Sequence, residues 1–295
     1  MVKLGMILDT VAETVPAAGW EDLLVTLRQE RGTALFLGAT DVGKSTLVRW
    51  LVERLRGTGR GAALVDADVG QSTLCLPGTV GMRLFREEGN REDFTCNRFA
   101  FLGSPSPARI IFPLVEAAGR FAADAHGETD LVLIDTTGLV SGELGVGLKL
   151  AKIRATGADR VIAIQRRDEC EPILERLRAI SVCRLAPPPL VRTRSQETRT
   201  RRRNERLASY FARACAEFII HAGEAEFSRF GRDVSLRNIL LEAGAIVGLN
   251  HGRETLALGA VTEADRDAVS FRSPLGFPKG IDRVVLGELR LEASR

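Results

Sequence analysis

The chain has 295 residues, of which 45% are apolar, and a formal net charge of +3 from 41 basic and 38 acidic side chains. That is enough material for a full α/β core and a small second domain. No apolar run reaches the roughly 18 residues that cross a bilayer, and residues 1–16 lack the basic start and long apolar stretch of a secretion signal, so a cytoplasmic location is expected.

In chain order, residues 34–37, 62–65, 99–102, 131–134 and 161–164 are near-continuous apolar runs of the kind a parallel sheet buries on both faces. Between the first two, Leu47, Val48, Leu51, Val52 and Leu55 recur at helical spacing while Arg49, Glu53, Arg54 and Arg56 fall off the stripe. This reads as a βαβ unit, and the alternation to about residue 190 predicts an α/β fold, a doubly wound, mostly parallel sheet with helices on both faces. Beyond about residue 214 the pattern changes to strand-like runs at 245–249, 255–261, 268–272 and 283–291 separated by turns. The expected division is an α/β domain over 1–213 and a small β-rich C-terminal domain over 214–295. The five cysteines are scattered, without metal-ligand spacing, and read as reduced, mostly buried small hydrophobes. The three histidines stand far apart, which argues against a histidine-based site.

The string GATDVGKST, residues 38–46, follows the first strand and opens the first helix of this unit. That is the context of a phosphate-binding loop. Gly38, Ala39, Thr40, Asp41, Val42, Gly43, Lys44, Ser45 and Thr46 are therefore assigned to a nucleoside triphosphate. The loop's N–H groups and the helix N-terminus would face the phosphates, Lys44 would neutralise the β and γ oxygens, and the Ser45 hydroxyl would ligate Mg2+. The plainer alternative is a glycine-rich turn before a helix.

The string VDADVGQST, residues 65–73, ends the next strand on the edge of the sheet that faces the ligand crevice. Asp66 and Asp68 are both expected at the metal edge, Asp66 through water, and Asp68 is the candidate general base for an attacking hydroxyl. Gln71 joins them as an acceptor-side amide. The alternative is that these acids cap a strand and start a turn.

Charge is unevenly placed. Residues 192–206 hold seven arginines and two glutamates, so the rest of the chain, with 34 basic and 36 acidic residues, is slightly acidic. Such concentration suits contact with a polyanion. The prolines at 187–189 forbid helix and lead stiffly into this segment. Arg199, Arg202, Arg203 and Arg206 fall at i, i+3, i+4 and i+7 and so share one helical face.

GATDVGKST, DADVGQST and the following LPGT at 76–79 together resemble the polynucleotide 5'-hydroxyl kinase family, which includes the kinase subunit of pre-mRNA cleavage factor and the ribosomal-RNA-processing kinases. The likeness runs from about Trp20 to the C-terminus, through DTTG at 135–138, NERLASYF at 204–211, GRETLALG and LGELRL. It implies a kinase that moves the γ-phosphate of ATP or GTP to the 5'-hydroxyl end of RNA or DNA. With about 30 residues ahead of the P-loop strand, it looks like a minimal prokaryotic form without the N-terminal β domain of eukaryotic members. The C-terminal domain would pack on the kinase domain and help shape the acceptor groove. The family's acceptor clasp, Thr-any-Gly-Trp, maps onto Thr136, Thr137, Gly138 and Leu139; the tryptophan is replaced by leucine, which offers apolar contact but no π-face for a base. The family's lid, a helix with two arginines four residues apart, is matched both by Arg199 with Arg203 and by Arg202 with Arg206, inside 192–211. The alternative for this face is a nonspecific nucleic-acid patch. No guanine-reading Asn-Lys-x-Asp string occurs, so loose base selectivity is expected. Competing readings are a small-metabolite kinase, a nucleotide-dependent ATPase, and an ATP-bound scaffold without transfer.

Overall fold

A computed structural model describes residues 14–56, 61–85, 96–189, 191, 193–213, 215–276 and 279–291. Residues 1–13 and Arg192 of the arginine segment lie outside the described residues. The first sheet holds β1 (Gly32–Leu37), β2 (Ala62–Ala67), β3 (Thr79–Phe85), β4 (Arg98–Phe101), β5 (Leu131–Thr136), β6 (Arg160–Ile164) and β7 (Ser181–Leu185), in the order β4-β3-β2-β5-β1-β6-β7. β2, β5, β1, β6 and β7 run parallel, and β3 and β4 extend the sheet antiparallel. The expected run at 99–102 is therefore an edge strand that pairs antiparallel with β3, whose Gly81 and Arg83 interrupt the apolar signal.

Helices α1 (Trp20–Gln29), α2 (Lys44–Leu55) and α6 (Gln196–Phe211) belong to one face of this sheet, and α3 (Ile111–His126), α4 (Gly142–Ala155) and the short α5 (Glu171–Leu174) to the other. The stripe read from the sequence is the buried side of α2, where Leu47, Val48, Leu51, Val52 and Leu55 join Trp20, Trp50 and Phe36. Ser45 to Leu55 can helix freely because nothing in it breaks the i→i−4 ladder, and Gly43 (φ 94°) supplies the left-handed turn ahead of it. None of the described helices is long and apolar enough to cross a membrane.

The second sheet contains β8 (Ala216–His221), β9 (Glu226–Arg229), β10 (Arg232–Val234), β11 (Ala245–His251), β12 (Glu254–Ala264), β13 (Ala268–Ser273) and β14 (Arg283–Arg290), ordered β10-β9-β14-β11-β12-β13-β8. It is antiparallel except where β14 meets β9. Ile246, Leu258, Ala260 and Leu289 of this sheet share a core with Phe101, Leu207, Tyr210 and Phe211. The junction is also hydrogen-bonded: Leu258 N donates to Tyr210 Oη at 2.9 Å, Phe101 N to Thr255 Oγ1 at 2.8 Å, and Arg272 Nη2 to Phe211 O at 2.7 Å.

Candidate active site

The strand order puts β5 between β2 and β1, so the residues that end these three strands meet at one edge. There they border a cleft of about 1470 Å³ lined by the phosphate-loop residues 40–46, by Asp68, Gln71 and Thr73, by Thr137, Gly138 and Leu139, and by Arg194, Arg199, Arg201, Arg202, Arg203 and Arg206.

In the phosphate loop, Lys44 is buried and donates to Ala39 O at 2.8 Å, so its ammonium is drawn over the loop that it serves. Asp41 adopts a left-handed φ of 55°. Its Oδ2 accepts from Arg194 N at 3.0 Å and from Arg199 Nη2 at 2.6 Å, while its carbonyl accepts from Arg166 Nη2 at 2.6 Å. Gly138 of the DTTG turn lies against Thr40: a Cβ there would fall 2.2 Å from Thr40 Oγ1 and 2.6 Å from Thr40 N. The two loops are thus in contact.

The two aspartates after β2 do different things. Asp66 is fully buried and its carboxylate accepts from Asp68 N, Ser72 Oγ, Thr73 N, Thr73 Oγ1 and Leu74 N at 2.5–3.2 Å. All five of these donors come from the loop that follows β2, so its carboxylate holds that loop together. Asp68 lines the cleft; its Oδ1 accepts from Gly70 N at 3.0 Å and Gln71 N at 3.1 Å, and its Oδ2 accepts no hydrogen bond among the described residues. A carboxylate oriented through one oxygen and open at the other can take a proton from a hydroxyl in the cleft.

Asp135, at the end of β5, is the residue that the sequence reading quoted within DTTG without giving it a role. It is buried, and neither carboxylate oxygen has a hydrogen-bond partner among the described residues. Burial first, then the Asp66 carboxylate, push its pKa up to about 7 against the pull of Lys44. Ser45 opposes the rise weakly, without a hydrogen bond of ordinary geometry. An unpartnered buried carboxylate beside a serine hydroxyl and a phosphate loop is the donor set a hard cation takes up, with phosphate oxygens and water completing its shell. The signal for it was present in sequence, an apolar run ending in an acid on the strand beside the P-loop strand.

Of the clasp residues, Thr137, Gly138 and Leu139 reach the cleft, whereas Thr136 does not. Its hydroxyl donates to Phe36 O at 2.7 Å and accepts from Lys149 Nζ at 2.8 Å, which ties β5 to β1 and α4 from inside.

The arginine face is realised on α6, which Ser195 caps by accepting from Thr198 N at 3.1 Å. Its two ends are anchored differently. Arg199 pairs with Asp41 of the phosphate loop, while half-buried Arg206 donates to Ser72 O in the loop after β2. Arg202 and Arg203 stand between, and Arg203 donates to Thr200 Oγ1 at 2.8 Å.

Residues 38–213 match the model of the mRNA cleavage and polyadenylation factor CLP1 P-loop family, well over half of the chain. The chain belongs to the CLP1 P-loop family. Among CLP1-type relatives, a polyribonucleotide 5'-hydroxyl-kinase of Pyrococcus horikoshii is 32% identical over 180 residues, covering 61% of this chain and 49% of that protein. One of Methanocaldococcus jannaschii is 32% identical over 180 residues, covering 60% and 49%. A CLP1 homolog of Arabidopsis thaliana is 28% identical over 251 residues, covering 79% and 58%. The chain thus spans about half the length of the archaeal relatives it matches. The Clp1p chain of a Clp1p–Pcf11p complex superposes with a TM-score of 0.73 at 12% identity, over 92% of this chain and 78% of that one, a likeness of fold.

Proposed function

We propose that this chain is a polynucleotide 5'-hydroxyl kinase that transfers the γ-phosphate of a nucleoside triphosphate to the 5'-hydroxyl end of RNA or DNA. The observation that carries the reading is the single cleft that joins the phosphate loop to Asp68 and the Thr137–Leu139 turn under an arginine-bearing helix. At about 1470 Å³ it exceeds the roughly 300–1,000 Å³ of an ordinary small-ligand pocket and leaves room for a strand end beside a nucleotide. The names of the archaeal relatives support the same acceptor, RNA first.

In the mechanism that follows, the triphosphate lies on residues 38–46, and the N-terminus of α2 with Lys44 carries its β and γ oxygens. Ser45 and Asp135 are the residues that would hold Mg2+, which supplies charge neutralisation at the phosphates when bound. Asp68 orients the acceptor hydroxyl and accepts its proton through Oδ2. Gln71, Thr137, Gly138 and Leu139 border the acceptor end. Arg199, Arg202 and Arg203 face the phosphoryl group being transferred, so that catalysis is mainly positioning and electrostatics.

The test is to incubate the chain with γ-labelled ATP, or GTP, and in parallel a 5'-hydroxyl oligoribonucleotide, a matching oligodeoxynucleotide, a panel of nucleosides and sugars, and no acceptor. Label on either oligonucleotide is the expected result. Label on small acceptors alone, or rapid phosphate release without acceptor, replaces the reading with a metabolite kinase or an ATPase respectively.

A further inference from the structure

Lys149 and Lys152 lie three residues apart on α4, hence on one face, and that face is turned into the protein. Both are fully buried, and neither makes an ion pair among the described residues. Lysine is almost never fully buried unless it is paired, because an ammonium out of water is costly. Here the compensation comes from neutral oxygens. Lys149 Nζ donates to Thr136 Oγ1 at 2.8 Å, to Thr137 Oγ1 at 3.3 Å and to Thr137 O. Lys152 Nζ donates to Ala67 O at 3.0 Å.

These acceptors are not scattered. Ala67 and Thr136 are register partners at the ends of the adjacent parallel strands β2 and β5. Ala67 immediately precedes Asp68, and Thr136 immediately follows Asp135. One helix face therefore holds the final rung of both strands from behind, next to Asp68, which lines the cleft, and Asp135, which is buried beside it. We propose that Lys149 and Lys152 are positioning residues that fix the spacing of Asp68 and Asp135 by hydrogen-bonding the strand ends that carry them; this rests on the kinase reading of the cleft.

Two further observations support it. Burial lowers the pKa of both lysines, that of Lys152 to about 8, and the carboxylates of Asp68 and Asp135 are among the groups that pull it back. Burial therefore works against each ammonium, and the field of the carboxylates offsets part of that cost. In addition, methionine, one heavy atom shorter, would fill most of this space without the desolvation penalty of an ammonium, so packing alone does not call for lysine. Supporting groups that lock a site's reactive side chains commonly carry such a cost.

The experiment uses the full chain with Lys149→Met and Lys152→Met. Amide hydrogen exchange is followed at residues 67–71 and 136–139, along with thermal unfolding and steady-state transfer to a 5'-hydroxyl oligonucleotide. The expected result is faster exchange, by about tenfold, at 67–71 in Lys152→Met and at 136–139 in Lys149→Met, with exchange elsewhere and the unfolding temperature unchanged or improved. The saturated rate falls at least about tenfold while the KM for ATP stays within about twofold. Unchanged exchange at both strand tips, a saturated rate within about twofold of the parent, or a general loss of folding overturns the proposal, the last because it makes the lysines merely structural. If the parent chain itself transfers no phosphate, the kinase reading fails, and the exchange measurement still decides whether the lysines hold the strand tips.

Discussion

Arg199 Nη2 lies 2.6 Å from Asp41 Oδ2, so the arginine helix is clasped to the very loop that would carry the triphosphate. Arg206, at the other end of the same face, is instead drawn into the loop after β2 through Ser72 O. This asymmetry separates the two arginine pairs that spacing alone left equivalent. Changing Arg199 and Arg203 together to alanine is expected to lower the saturated rate roughly a hundredfold, with little change in the salt dependence of acceptor binding. Arg206→Ala is expected to act first on stability, by about 1–3 kcal/mol, since it leaves a buried carbonyl without its donor. Saturated rates and acceptor affinities at two salt concentrations, with melting curves, check both. A loss confined to affinity and its salt slope would make the face an electrostatic landing strip.

Asp68→Asn keeps the shape of the side chain and both backbone hydrogen bonds to Oδ1 while removing its basicity. Nucleotide affinity should remain within a few-fold of the parent and turnover should drop about a hundredfold or more. Binding of a fluorescent ATP analogue beside transfer kinetics separates this outcome from loss of metal affinity with turnover preserved.

Asp135 gives a pH signature of opposite sense to an ion-paired carboxylate. Its folded pKa, about 7, is above the ordinary 3.8, so between those values the folded chain holds a proton that the unfolded chain has released. Stability therefore falls as pH rises through that window. Asp135→Asn removes the loss. With chelator and no nucleotide, the variant should melt several degrees above the parent at about pH 8, and the difference should shrink as the pH is brought down toward about 4. A difference independent of pH would show that the carboxyl does not titrate in this range.

Gly138→Ala tests the contact between the DTTG turn and the phosphate loop. The added methyl would meet Thr40 N, a backbone atom that cannot swing aside, so the loop itself must shift. A stability cost of about 1–3 kcal/mol and weaker ATP binding are expected, read by melting and nucleotide titration. Gly142→Ala, at a glycine with open space around it though a left-handed φ of 69°, serves as the comparison that loses stability without the effect on ATP.

Much of this site was legible because short-range chemistry dictates it. GATDVGKST must curl before a helix, and its glycines and lysine act within a few residues of one another. The antiparallel strand β3 was not legible, since Gly81 and Arg83 break its apolar pattern, nor were β8, β9 and β10, whose half-exposed residues alternate weakly. Asp66 and Asp68 look equivalent in the string DAD; only the fold shows that five donors from the following loop converge on the first. Lys149 and Lys152 gave no signal because two lysines in a helix ordinarily mark its wet face. Their burial depends on strand tips contributed by residues 67 and 136–137, a long-range relationship that no local pattern encodes.

Phe101 sits where the two sheets join. Its ring end would lie 2.7 Å from a Cβ at Gly287, its backbone N–H is held by Thr255, and Tyr210 at the foot of α6 is bonded to Leu258 in the same sheet. So tight a seam leaves no hinge between the two sheets, and the C-terminal turns of α6 are sewn into it. The first turn of α6 and the residue leading into it are tied to Asp41, one acidic side chain on the phosphate loop. If α6 moves at all, it would not swing with a whole domain; it would lift at one end, with Asp41 as the catch.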